Sequence, residues 1–234
     1  MRPLVVLSAI ATISVVAWAV HASEQTATGS SQPTAAVDAV VLPKFYYNDG
    51  PPNKFGTAFV VNSGGKRVLV TAYHLIKVKP GKEREEITSV DLYTANGKEK
   101  RGTAGKPLLD TGKVSDGNDL SHDCALFENP QTVGGGVIPI AIHDVAVGDR
   151  VWIVGKSDGP PTPAFVPAEV VRIRDQNVAL KMDTVKNMVG FSGSPYVNQS
   201  GQVLGIVLMS DNKQFVLCSR LNDLLARLAE AKPN

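Results

Sequence analysis

The sequence predicts an all-β molecule, two packed β-barrels closed by one C-terminal helix, and three observations carry that reading. From Val40 onward the apolar residues fall in short runs divided by Gly, Pro, Asn and Asp, as in short strands joined by tight turns. Helical period occurs only at 221–231, where Leu221, Leu224, Leu225 and Leu228 share one face. The chain has 234 residues, 43% hydrophobic and 20% charged, which is an ordinary globular composition with room for one all-β domain of about 200 residues or two smaller ones.

The segments follow in order. Residues 1–22 read as an export signal: Arg2 gives a positive start, Leu4 to Val20 is uncharged and mostly apolar, and Val20-His21-Ala22 offers small residues for cleavage. The alternative is an uncleaved anchor, because that apolar run sits at the short end of what spans a bilayer. Export would place the chain in the periplasm or outside the cell. Residues 23–39, rich in Ser, Thr, Ala and Gln, read as a flexible leader.

The folded part is expected over 40–231, with a first barrel at about 40–130, a second at about 137–220 and the helix closing it. Val40-Val41-Leu42 and Lys44 to Tyr47 start the strands, and Asn48 to Asn53 is a turn. Gly56 to Val61 and Arg67 to Ala72 flank Asn62-Ser63-Gly64-Gly65, a hairpin signal. Val78 to Glu86 is a charged loop, and Val90 to Tyr93 enters a second hairpin at Ala95-Asn96-Gly97. Residues 101–119, poor in apolar side chains, read as a surface loop leading to a strand at Cys124 to Phe127. Gln131 to Gly136 reads as the link between barrels. Val137 to Ile142, Arg150 to Val154, Ala168 to Ile173 and Val178 to Met182 are expected strands of the second barrel.

The chemistry centres on Gly190-Phe191-Ser192-Gly193-Ser194-Pro195. A serine between glycines, just before a strand-like run, lets a nucleophile and an anion-stabilising pair of backbone N–H groups share one turn. A serine hydroxyl needs a base to take its proton. Of the four histidines, His21 falls in the export signal, His122 points away from the face of its neighbour Asp123, and His143 sits in a loop-like stretch. His74 closes the apolar run Val68 to Ala72, and its ordinary pKa suits proton transfer near neutrality. Asp123 heads the run Cys124 to Phe127, whereas its rival Asp119 does not lead directly into an apolar run.

Three motifs, "TAYHL", "HDCALF" and "GFSGSP", resemble the catalytic motifs of the chymotrypsin-like (trypsin-like) serine proteases, in the chain order His, Asp, Ser of that family. The flanks "FGTAFVVN", "VAVGDRVWIVGKSDG", "GQVLGIVLM" and "QFVLCSRLNDLLARL" bring the resemblance nearest the protease domain of HtrA-type bacterial enzymes, over about residues 40–231. The resemblance implies two six-stranded antiparallel β-barrels, a peptide or protein substrate, and no added cofactor. It casts Ser192 as nucleophile, His74 as general base and then acid, Asp123 as the group orienting His74, and the N–H groups of Gly190 and Ser192 as the oxyanion hole. HtrA-type enzymes often carry a C-terminal PDZ domain, and a chain that stops at Asn234, just after the helix, is expected to have none. Nothing resembles the activation cleavage of trypsin-type zymogens. Phe191 stands where the family has Asp or Asn, a position facing the substrate entrance, and Ser194 replaces the commoner glycine. By the same resemblance, the substrate pocket draws on Phe191, Leu208, Met209, Ser210 and Phe215, with Lys186 near its floor, which implies a shallow apolar pocket.

The two cysteines, Cys124 and Cys218, are either one disulfide, expected in an exported chain, or two buried thiols. No metal-binding set, P-loop or dinucleotide fingerprint is visible. A net charge of +2 gives nucleic acid no electrostatic support. Three other readings stay open beside an exported serine endopeptidase: a catalytically impaired, chaperone-like binding protein, an esterase, and an anchored interaction protein in which the leader matters most.

Overall fold

The computed structural model describes residues 32–48, 56–76, 87–105, 107–108, 120, 122–128, 135–156, 163–184 and 186–230, without the side chains of Arg227, Leu228 and Glu230. The expected signal, the leader as far as residue 31, the turn at 49–53, the loop at 78–86, most of the loop at 106–119 and the first part of the inter-barrel link lie outside the described residues. Among the described residues no helix is long and apolar enough to cross a membrane.

Two six-stranded β-units make up the fold. In the first, β1 (Val40–Tyr47), β2 (Ala58–Ser63), β3 (Lys66–Ala72), β4 (Ile87–Thr94), β5 (Lys100–Ala104) and β6 (Cys124–Glu128) form an antiparallel sheet in the order β5-β4-β1-β2-β3-β6. Its edges meet just beyond β5, where Gly105 N–H donates to Glu128 O (2.6 Å) and Leu108 N–H to Leu126 O (2.8 Å). In the second, β7 (Arg150–Gly155), β8 (Ala164–Arg174), β9 (Asn177–Met182), β10 (Pro195–Val197), β11 (Val203–Ser210) and β12 (Phe215–Arg220) close a barrel in the order β10-β11-β12-β9-β8-β7. Helix α1 (Leu221–Glu230) follows, with Leu221 and Leu224 buried on one face. The expected all-β fold with a terminal helix is the fold observed.

Local chemistry accounts for the β2–β3 hairpin. Gly64 and Gly65 both have positive φ (58° and 77°), the conformation of a two-residue turn that matches strand twist. The pairing then sets Ala58 opposite Thr71 and carries β3 straight into a 3₁₀ turn at Tyr73–Leu75.

Three segments differ from expectation. Lys100–Ala104, expected in a loop, is strand β5, because β4 supplies the apolar partner that a polar edge strand lacks. Residues 137–142, expected as a strand, make only two bridges, Ile138 to Val61 and Ile140 to Val203. Pro139 has no N–H to donate, which breaks any ladder there. Those bridges join the two units instead. The leader, expected to run to residue 39, gives way to a 3₁₀ helix at Thr34–Ala39 that buries Ala36 and Ala39.

The hydrophobic core has two parts. One fills the first sheet and continues through Val154, Val197, Val203, Ile206, Leu208, Leu221 and Leu224, so it spans both units. The other, around Ile153, Val166, Leu180, Phe191 and Tyr196, lies inside the second barrel.

Candidate active site

His74 sits in the 3₁₀ turn that ends β3, and Asp123 lies immediately before β6, the neighbouring strand. The β3–β6 register sets Ala72 opposite Cys124, so the residues just past each end are brought together. Asp123 is 1% exposed and spends both carboxylate oxygens on His74. Oδ1 accepts the His74 backbone N–H (2.8 Å), and Oδ2 lies 2.8 Å from Nδ1. A carboxylate only accepts, so Nδ1 carries the proton and Nε2 is left as the basic nitrogen. The Asp123 carbonyl accepts the Tyr73 N–H at 3.1 Å, which fixes the turn's angle. The His74 side chain is 27% exposed, so one edge of the ring is open to solvent.

Ser192 lies in the turn before β10, on the second barrel. Gly190 and Gly193 have φ of +92° and +85°, which only glycine adopts without strain. Neither the N–H of Gly190 nor that of Ser192 has a hydrogen-bond partner among the described residues. Phe191, one residue away, donates its N–H to Met188 O (3.0 Å), so the turn is ordered while these two donors stay unused. Two free N–H groups flanking one side chain can receive a developing oxyanion.

The turn is strapped to the first sheet through Thr57. Its N–H donates to Ser192 O (2.8 Å), and its hydroxyl to Gly190 O (2.9 Å). Thr71 Oγ1 donates in turn to Thr57 O (2.8 Å). Gly193 comes so close that a Cβ there would stand 2.0 Å from Thr57 O and 3.1 Å from Ala72 N, two residues before His74. The serine turn and the histidine turn thus meet through backbone. Among the described residues the Ser192 hydroxyl itself makes no hydrogen bond, to His74 or to any other group. Nothing in the sequence marks Thr57 or Thr71: both are buried polar residues whose partners are distant in the chain.

The expected pocket residues are scattered in their surroundings. Phe191, expected to face the substrate entrance, is 1% exposed and packs into the core of the second barrel. Gly155 makes space for it, since a Cβ there would stand 2.8 Å from the Phe191 ring and 2.1 Å from Ser194 Oγ. Leu208 is buried in the core that joins the two units. Met209 and Phe215 are exposed, on paired strands β11 and β12, and Ser210 and Lys186 are partly buried. Val189, just before the turn, is a further exposed apolar side chain.

Cys124 and Cys218 are free thiols, not a disulfide. Cys124 is buried in the first core and Cys218 in the second, each pointing into its own apolar cluster. Burial pushes the Cys218 thiol well above its ordinary pKa, so it stays protonated. Among the described residues no group of His, Cys, Asp and Glu is arranged to hold a metal ion.

The sequence profile of the trypsin-like peptidase domain matches residues 56–206, a span that includes His74, Asp123 and Ser192. A comparison with curated protein sequences gives no match. Among solved structures, the fold is similar to that of the Rv3671c protease from M. tuberculosis. Its inactive form is 18% identical, with a TM-score of 0.58 over 86% of this chain and 92% of the other. Its active form is 19% identical, with a TM-score of 0.57 over 86% of this chain and 84% of the other. At that identity the likeness is one of fold.

Proposed function

Because the chain belongs to the trypsin-like peptidase family, we propose that it is an exported serine endopeptidase that cuts peptide bonds through an acyl-enzyme on Ser192. The observation that carries the reading is the pair of bonds from Asp123 to the backbone and ring of His74, beside a glycine turn with two unused N–H donors. In the proposed cycle His74 Nε2 takes the Ser192 proton as the hydroxyl attacks the scissile carbonyl. The N–H groups of Gly190 and Ser192 receive the oxyanion. The imidazolium, steadied by Asp123, then gives its proton to the leaving amine, and water repeats the sequence to free the acid. Export rests on the composition of residues 1–22.

One observation favours a second reading. The Ser192 hydroxyl has no bond to His74, as in a protein that kept the fold and lost the reaction. Catalytic hydrogen bonds are often long in unliganded enzymes and tighten with substrate, which leaves the peptidase reading ahead. A fluorophosphonate probe separates the two. We expect labelling of the wild-type protein at Ser192, none of Ser192→Ala, and peptide cleavage by the first alone. An unlabelled wild-type protein that still binds unfolded polypeptide would establish the binding role instead.

A further inference from the structure

Beyond the proposed catalytic groups lies a concave site. A pocket of about 170 Å³ is lined by Leu120, Arg172, Arg174, Asn177, Ala179 and Leu217. It adjoins both parts of the candidate active site. Leu120 donates its N–H to Asn177 Oδ1 (3.3 Å), and its carbonyl accepts the N–H of Asp123 (3.1 Å). One wall of the pocket and the carboxylate that holds His74 therefore share a single turn. On the other side, Leu217 pairs with Met209 of β11, the strand whose Val207 carbonyl accepts the Gly193 N–H (2.8 Å).

The pocket is basic and its charge is unspent. Arg172 and Arg174 are two apart on β8 and so share a face, opposite Ala179 and Asn177 of β9. Arg172 has no acidic partner among the described residues. Among the described residues Arg174 has only its exposed chain neighbour Asp175, at 3.9 Å, a contact worth little in water. Among the described residues no carboxylate lines the pocket. Two exposed arginines lining a small site together with the apolar Leu120, Ala179 and Leu217 suit a short aliphatic chain ending in a carboxylate.

We propose that this pocket is a specificity subsite that takes a Glu or Asp side chain of the bound peptide, held by Arg172 and Arg174. The proposal rests on the peptidase reading above. Its distance along the substrate follows from the sheet. β8 is three strands from β11, about 14 Å at the usual strand spacing, and an extended peptide advances about 3.3 Å per residue. Allowing for the reach of an arginine, the acidic residue lies about two to five positions from the scissile bond.

The test uses the full-length protein and peptides blocked at both ends, so that only side-chain carboxylates are read. Glu is placed in turn at each position on both sides of the cut, with Gln as the isosteric control. We expect kcat/KM to favour Glu over Gln by about threefold to tenfold at one fixed offset, less so at high salt. In the double variant Arg172→Gln/Arg174→Gln that preference should vanish while the Gln peptides are cut as before. Absence of a favoured offset, or a preference that survives in the double variant, overturns the subsite. Failure of the peptidase reading looks different: neither peptide is cut and no fluorophosphonate label appears. The same Glu and Gln peptides are then compared by fluorescence anisotropy, with and without the arginine substitutions, and the ratio of their Kd values supports or overturns the pocket by the same criteria.

Discussion

In the first unit His74 and Asp123 are bound to each other by two hydrogen bonds and lie at the ends of adjacent strands of one sheet. In the second, Ser192 makes no side-chain bond among the described residues and is positioned by its backbone, through Thr57 and through the close approach of Gly193. The difference separates two tasks. The proposed base is held and oriented within one unit, so its geometry survives small shifts between the units. The position of Ser192, the proposed nucleophile, depends on how the units meet, because Thr57 belongs to the first and the serine turn to the second. Coupling of hydroxyl to imidazole is therefore a property of the junction.

The comparison breaks most visibly at Asp123. Asp123→Asn, with its one oxygen on the His74 backbone N–H, sets an amide N–H group against Nδ1, which favours the wrong tautomer. Turnover of a peptide ester should fall about 10⁴-fold, as the same change does in the general triad template. Far-ultraviolet circular dichroism and thermal unfolding should change little, since the sheet is untouched. Near-normal turnover would falsify the claim that the first unit supplies an oriented base.

A smaller effect sharpens the other half. Gly193→Ala asks for a side chain at φ +85°, with its Cβ 2.0 Å from Thr57 O and 2.8 Å from Thr71 Oγ1. The turn must move away from Thr57, and the Gly190 and Ser192 donors move with it. We expect kcat to drop about 10²–10³-fold, the loss usual for one misplaced oxyanion donor, with KM less affected. Unchanged kinetics would mean that the contact with Thr57 does not set the turn.

What could be read from the sequence, and what could not, follows the reach of each interaction. His74, Asp123 and Ser192 stand in short motifs whose flanks read as strand ends, so local pattern alone brings them forward as candidates. Thr57 was invisible, because its hydroxyl acts on Gly190, 133 residues away. Phe191 was assigned to the substrate entrance and lies in the core: in a glycine-rich turn no two-residue alternation tells which way a side chain points. Lys100–Ala104 was taken as loop because an edge strand borrows its burial from β4 and shows little apolar pattern of its own. Residues 137–142 carried the apolar pattern but not the donors, with Pro139 in their midst.

The smallest expected effect tests whether any covalent bond helps to hold the two units together. Cys124 belongs to the core that begins in the first sheet, and Cys218 to the one enclosed by the second barrel. Both are buried and free, and burial holds the Cys218 thiol protonated. Packing and the Thr57 strap then join the units without help from sulfur. Adding reductant should move the unfolding temperature by less than about 1 °C, and two thiols should react only after denaturation. A disulfide closing so long a loop would contribute about 4–5 kcal/mol, and its reduction would lower the unfolding temperature by about 8–20 °C in a chain of this size. A shift of that size would mean that the junction carrying Ser192 is tethered covalently, and that its geometry answers to redox conditions as well as to packing.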